Sequence, residues 1–101
     1  MIIVAVEIAV EEGAAERARE AIAKMERATR AEEGCITYAF SVDVSDPSML
    51  RVIERWRSIE DVRAHMQTPH MAEFGAAVAQ IRPRGMEVKA YEVAREVPLT
   101  G

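Results

Sequence analysis

This sequence predicts an α+β fold with four antiparallel strands and a helical layer, and three observations carry that prediction. Four segments, "IIVAVEIAV", "CITYAFSVDV", "MLRVIERWR" and "MEVKAYEVAREV", alternate or run apolar at strand period. Helical-period stretches separate the first from the second and the third from the fourth. Only "SDPS" lies between the second and third, so those two read as a hairpin. The chain has 101 residues, enough for one domain and too few for two. Residues 1–97 read as that domain and 98–101 as a short tail.

The first strand puts Ile2, Val4, Val6, Ile8 and Val10 on one face and Ile3, Ala5, Glu7 and Ala9 on the other. In the helix that follows, residues 12–34, Ala18, Ile22, Met25 and Thr29 recur at helical spacing, with Arg17, Glu20, Lys24 and Arg27 outside. Gly34 sits where a C-terminal cap belongs. The second strand aligns Ile36, Tyr38, Phe40 and Val42. Pro47 pre-sets the turn after it. The third strand puts Leu50, Val52, Glu54 and Trp56 on one face and Arg51, Ile53, Arg55 and Arg57 on the other. Ser58 and Asp61 make a capping box at the start of a short helix, 58–66. Thr68 and Pro69 are the N-cap and first position of another, which runs to about Ile81 with Met71, Phe74, Val78 and Ile81 as its stripe. The fourth strand begins at Met86.

Strand, helix, strand, strand, helix pair, strand is the order of the ferredoxin-like split βαβ arrangement, a four-stranded antiparallel sheet with helices on one face. The first and third strands carry apolar groups on both faces, whereas the helices cover only one. A homodimer with its two sheets facing each other, or curled into a shared α+β barrel, would cover the second.

The composition sets limits on partners. Half the residues are hydrophobic, 30% are charged and the net charge is −4. No basic cluster with interleaved aromatics occurs, which argues against nucleic acid and anionic membrane surfaces. No apolar run approaches the roughly 18 residues of a membrane span. A single cysteine, Cys35, forms no intrachain disulfide and fits a reducing, cytoplasmic setting. It reads as a small core residue.

Both histidines lie in "HMQTPH", residues 65–70. Thr68-Pro69 interrupts the helix between them, so spacing alone leaves open whether the rings converge. His65 is either a polar residue beside the Ile59, Val62, Met66 stripe or a pocket acid or base. His70 is either an exposed first-turn residue or a second base. A metal clip would pair them with a carboxylate such as Glu73 or Glu54, but no third ligand is marked and the expectation is no metal. Glu54 and Trp56 share a strand face, as a structural pair or as a buried carboxylate beside an aromatic wall. Glu7 on its apolar strand, Tyr38 and Phe74 complete the candidates for contact with a ligand. No Gly-rich phosphate loop, dinucleotide fingerprint or zinc-finger spacing is present.

"EEGCITYAF" and "DVSDPSMLRVIERWRSIEDVRAHMQTPHMAEF" resemble the antibiotic biosynthesis monooxygenase family. The features are E-x-G-C-x-x-Y, Asp-Pro before a strand ending E-x-W, a short helix bearing His, and T-P-H opening the next. The likeness runs from Met1 to about Val97. It implies a ferredoxin-like protomer in a dimeric α+β barrel. Its members include cofactor-independent enzymes that oxidise quinols or polycyclic phenols with dioxygen. The chain has no asparagine, which speaks against the haem-degrading relatives that use one with a tryptophan; Glu7 stands roughly where that asparagine would. Met71 follows T-P-H where an aromatic is common.

The resemblance implies a small aromatic substrate, dioxygen, no cofactor and a self-partner. His65, His70 and Glu54 are the expected catalytic residues, and Trp56, Tyr38, Phe74 and Glu7 the substrate contacts. Two other readings use the same residues: a dimeric barrel that only binds an aromatic ligand, and an isomerase moving protons on a small hydroxyketone.

Overall fold

β1 (Ile2–Ala9) runs through the middle of the sheet in a computed structural model that describes all 101 residues. Its burial alternates between the two faces, with Ile2, Val4 and Ile8 buried towards the helices, and β3 (Met49–Trp56) and β4 (Gly85–Glu92) flank it antiparallel. β2 (Cys35–Val42) adds to β3 as the hairpin partner, giving the order β2-β3-β1-β4. α1 (Ala14–Arg17), α2 (Arg19–Arg30), α3 (Ile59–His65) and α4 (Pro69–Gln80) fill the connections. This is the ferredoxin-like arrangement expected from the element order. No helix is long and apolar enough to cross a membrane.

The helix-side face of the sheet holds the core. Ile2, Val4, Val52 and Trp56 gather with Met25, Tyr38 and Phe74. Ile8, Val10, Ala14 and Leu50 form a second cluster at the other end. The single helix expected over 12–34 is divided at Ala18, whose ψ of 6° leaves the helical range. The break lets Ala14 face the second cluster while Met25 faces the first.

α2 ends at Arg30, earlier than expected, and Gly34 is no left-handed cap. It is needed for space: a Cβ there would overlap the side chain of Asp61. Two α2 side chains also hold the free edge of β2. Glu26 accepts from the Phe40 amide at 2.9 Å, and Arg30 Nε donates to the Tyr38 carbonyl at 2.8 Å. Such capping leaves fewer open backbone groups for another strand to pair with.

β2 carries an irregularity between Cys35 and Thr37. It throws Ile36 out of the stripe to half-exposure, while Cys35 packs against the core. β4 stops at Glu92, well short of Val97. It pairs only with β1, and the last bond of that ladder joins the Val93 amide to the Met1 carbonyl.

The opposite face of the sheet carries Ile3, Ala5, Ile53 and Tyr91 without a covering layer. Ile53 is 49% and Tyr91 52% exposed.

Candidate functional site

Local sequence chemistry decides where the two imidazoles point. Ser58 caps α3, accepting from the Asp61 amide at 3.2 Å while its hydroxyl donates to the Asp61 carboxylate at 2.8 Å. His65 is the last residue of that helix. Thr68 then caps α4 with Pro69 at its first position, so His70 lies in the first turn. The Thr68 hydroxyl accepts from the Met71 amide at 3.2 Å and donates to the His65 carbonyl at 2.8 Å. That one side chain ties the end of α3 to the start of α4.

The bend makes the rings converge. Their centroids are 5.9 Å apart, and both face the same oxygen of Glu32, in the connection between α2 and β2. His65 Nδ1 is 2.6 Å and His70 Nε2 2.8 Å from Glu32 Oε2. A carboxylate oxygen only accepts, so each facing nitrogen carries a hydrogen. A neutral His65 therefore has its lone pair on Nε2.

His65 is 2% exposed, between Trp56 at 4.8 Å and Tyr38 at 5.7 Å between ring centroids. Its ring lines a cavity of about 370 Å³ between the sheet and the α3–α4 layer. Val4, Val6, Val52, Phe40, Phe74 and Met71 form much of the wall. Such an apolar chamber with few polar groups is how small-molecule sites are commonly built. Its ionisable side chains are His65, Glu54 and the Tyr38 phenol.

Glu54 comes from the middle of the sheet, opposite Val4 on β1 and Tyr38 on β2. It is buried, and Oε1 accepts from Trp56 Nε1 at 2.8 Å. Burial pushes its carboxyl above the usual range. The Trp56 hydrogen bond and His65 oppose that shift, and the Glu32 charge adds to it. Burial, with help from Glu54, also pushes the Tyr38 phenol far up, so it stays a hydrogen-bond donor.

Of the expected site residues, His65, Glu54, Tyr38 and Phe74 are brought together at this cavity. His70 stands behind Glu32, partly exposed, and does not line it. Trp56 is fully buried behind His65 and Glu54, so it supports the site and is no wall of it. Glu7 lies on the opposite face of the sheet, 3.0 Å from Arg51, which also meets Asp43 at 2.6 Å. The carboxylate beside the histidines is neither of those expected: Glu73 pairs with Lys24 at 2.6 Å, and Glu54 with Trp56. Glu32 was not singled out in the sequence, though it is the glutamate of E-x-G-C-x-x-Y. A larger groove of about 450 Å³ lies between α2 and the β2–β3 hairpin, but it contains no imidazole.

The profile of the family described as "Antibiotic biosynthesis monooxygenase" matches residues 1–77. An uncharacterised protein of Synechocystis, sll1783, is 32% identical over 66 residues, 65% of this chain and 45% of its own. The probable quinol monooxygenase YgiN of Escherichia coli K12 is 42% identical over 55 residues, 46% of this chain and 53% of its own. The matched segments thus span about half the length of these curated relatives. Among solved structures, a Deinococcus radiodurans protein crystallised as a candidate antibiotic biosynthesis monooxygenase superposes with a TM-score of 0.90. It is 24% identical, with all of both chains covered, a likeness of fold. Rv0793 of Mycobacterium tuberculosis gives 0.83 at 25% identity, covering 96% of this chain and 98% of its own. The chain belongs to the antibiotic biosynthesis monooxygenase family.

Proposed function

We propose that the protein is a cofactor-independent monooxygenase that oxidises a quinol or polycyclic phenol with dioxygen. One observation carries the reading: a buried imidazole on an apolar cavity wall, its Nδ1–H held by a carboxylate at 2.6 Å. A phenol needs little more than that. Dioxygen reacts slowly with closed-shell molecules, which is why flavins or metals are commonly recruited. A phenolate is electron-rich enough to give dioxygen one electron directly. His65 Nε2 takes the hydroxyl proton, and Glu32 stabilises the imidazolium that forms. The Tyr38 phenol is a donor for a substrate oxygen, and so is the Glu54 carboxyl in its protonated form, which burial favours. For a quinol, the net reaction with one dioxygen gives a hydroxylated quinone and one water. The four electrons come from the substrate, so no external reductant enters.

The name of the YgiN relative supports the quinol class. A cytoplasmic homodimer, joined through the uncovered sheet face, completes the proposal. The test is oxygen uptake by chelator-treated protein with a panel of quinols and polycyclic phenols, corrected for autoxidation with boiled protein. Uptake should fall by about 10²–10⁴ in His65→Gln. Full turnover in that variant would remove His65 from the mechanism.

A further inference from the structure

We propose that Glu32, His65 and His70 also form a binding site for a first-row divalent ion of the zinc type, and that occupancy switches His65 out of its base form. Each residue offers one donor atom, and the three atoms lie within 4.8 Å of one another. Two imidazole nitrogens and a carboxylate oxygen are a donor set that suits zinc. Around a tetrahedral zinc, neighbouring donors stand about 3.3 Å apart, from bond lengths near 2.0–2.1 Å. The two separations from Glu32, 2.6 and 2.8 Å, have to open by less than about 1 Å, and the two nitrogens, within 4.8 Å of each other, to close by up to about 1.5 Å.

The three donors come from separate pieces of chain. Glu32 precedes β2, His65 ends α3 and His70 opens α4. The two histidines are joined through the Thr68 cap, which limits how far they can part. The His65 side chain is 3% exposed, whereas His70 and Glu32 are 21% and 16% exposed. An ion therefore has a route in from the His70 side. Three protein donors leave a fourth position for water.

The consequence for His65 follows from the ring itself. An ion on Nδ1 takes the lone pair there, so the hydrogen of a neutral ring moves to Nε2. Nε2 is then a donor and cannot take a substrate proton. Ion binding stands on the donor geometry alone. The switch rests on the reading of His65 as the base.

The experiment uses the whole chelator-treated chain without substrate. Zinc chloride is titrated by calorimetry, and cobalt(II) is followed by its visible absorption. One ion per chain is expected, with the strong visible bands of low-coordinate cobalt. His70→Ala and Glu32→Gln should each weaken binding by more than about tenfold. Both positions are partly exposed, so the fold should survive, and circular dichroism checks it. No saturable binding, or affinity unchanged in both variants, overturns the site. With an active substrate in hand, one equivalent of zinc should suppress oxygen uptake and a chelator restore it. Uptake unaffected at saturating zinc overturns the switch, and leaves the oxygenase reading standing.

Discussion

Glu32 Oε2 lies 2.6 Å from His65 Nδ1, and the same oxygen lies 2.8 Å from His70 Nε2. One acceptor thereby sets the hydrogen on two rings. Glutamine can place only an uncharged oxygen at that point, so the charge that fixes both hydrogens and stabilises an imidazolium on His65 is lost. Glu32→Gln should lower kcat by about 100-fold with a smaller change in KM. Nitrogen NMR of the ring distinguishes positioning from a fold defect. In the parent protein His65 Nδ1 should carry the hydrogen, and in a folded variant that preference should weaken.

Glu54 gives the pH dependence. Its folded pKa is raised by burial, so the native state holds a proton that the unfolded chain has already released. Stability from this group is therefore full below the ordinary glutamate pKa and falls as pH rises to the raised value. Glu54→Gln keeps an oxygen for the Trp56 N–H and removes the titration. Relative to the parent, the variant should gain stability progressively as pH rises above the ordinary glutamate pKa of about 4.3. Urea unfolding over a series of pH values measures it; a constant difference would mean that Glu54 does not titrate upward on folding.

Thr68 holds the bend between the histidines by two bonds of its hydroxyl. Thr68→Ala should cost about 1 kcal/mol of stability in urea unfolding. It should also lower kcat, because the ends of α3 and α4 lose their tie. Thr68→Ser keeps the hydroxyl and should recover most of both. A Ser variant no better than Ala would move the effect to the lost methyl group.

Much of the fold was legible because its determinants are local. Strand alternation, the Ser58 and Thr68 caps and the Pro47 turn need no distant partner to be read. The exceptions depend on tertiary contacts. The break at Ala18 serves two core clusters, and Ile36 leaves its stripe at an irregularity that alternation cannot announce. Glu7 looked misplaced on an apolar strand until Arg51 and Asp43 came beside it. At the site, "HMQTPH" pointed to the imidazoles but not to Glu32, which is 33 residues before His65 in the chain. Its signal was motif membership, since a glutamate next to another glutamate carries no periodic mark.

Gly34 tests one such tertiary determinant. Its lack of a Cβ makes room for Asp61, the residue that completes the α3 cap and pairs with Arg57 at 3.1 Å. Gly34→Ala should destabilise by about 1–3 kcal/mol, as overpacking does. It should also disturb the start of the helix that carries His65. Backbone amide exchange at Asp61 and Val62 should quicken beyond the global change if the cap is displaced. Unchanged stability would mean that Asp61 moves aside freely.

The last prediction concerns the uncovered face of the sheet. Ile53 stands opposite Ala5 on β1 and Ala39 on β2, with Arg51 and Arg55 two residues away on the same strand face. It is half-exposed, and Ile3 and Tyr91 extend the apolar surface towards β4. If a second copy covers this face, Ile53, already half-buried, gains burial worth about 0.7–1.5 kcal/mol in each protomer. Ile53→Arg would instead place a third cation in a row and require its desolvation. Sedimentation should find the parent chain as a dimer and Ile53→Arg largely monomeric at the same concentration. The helix-side core is untouched by this change, so far-ultraviolet circular dichroism should match the parent. A variant that still sediments as the parent's dimer would place the interface on another surface, and β4, with Met86 and Val88 also half-exposed, would be the next place to substitute.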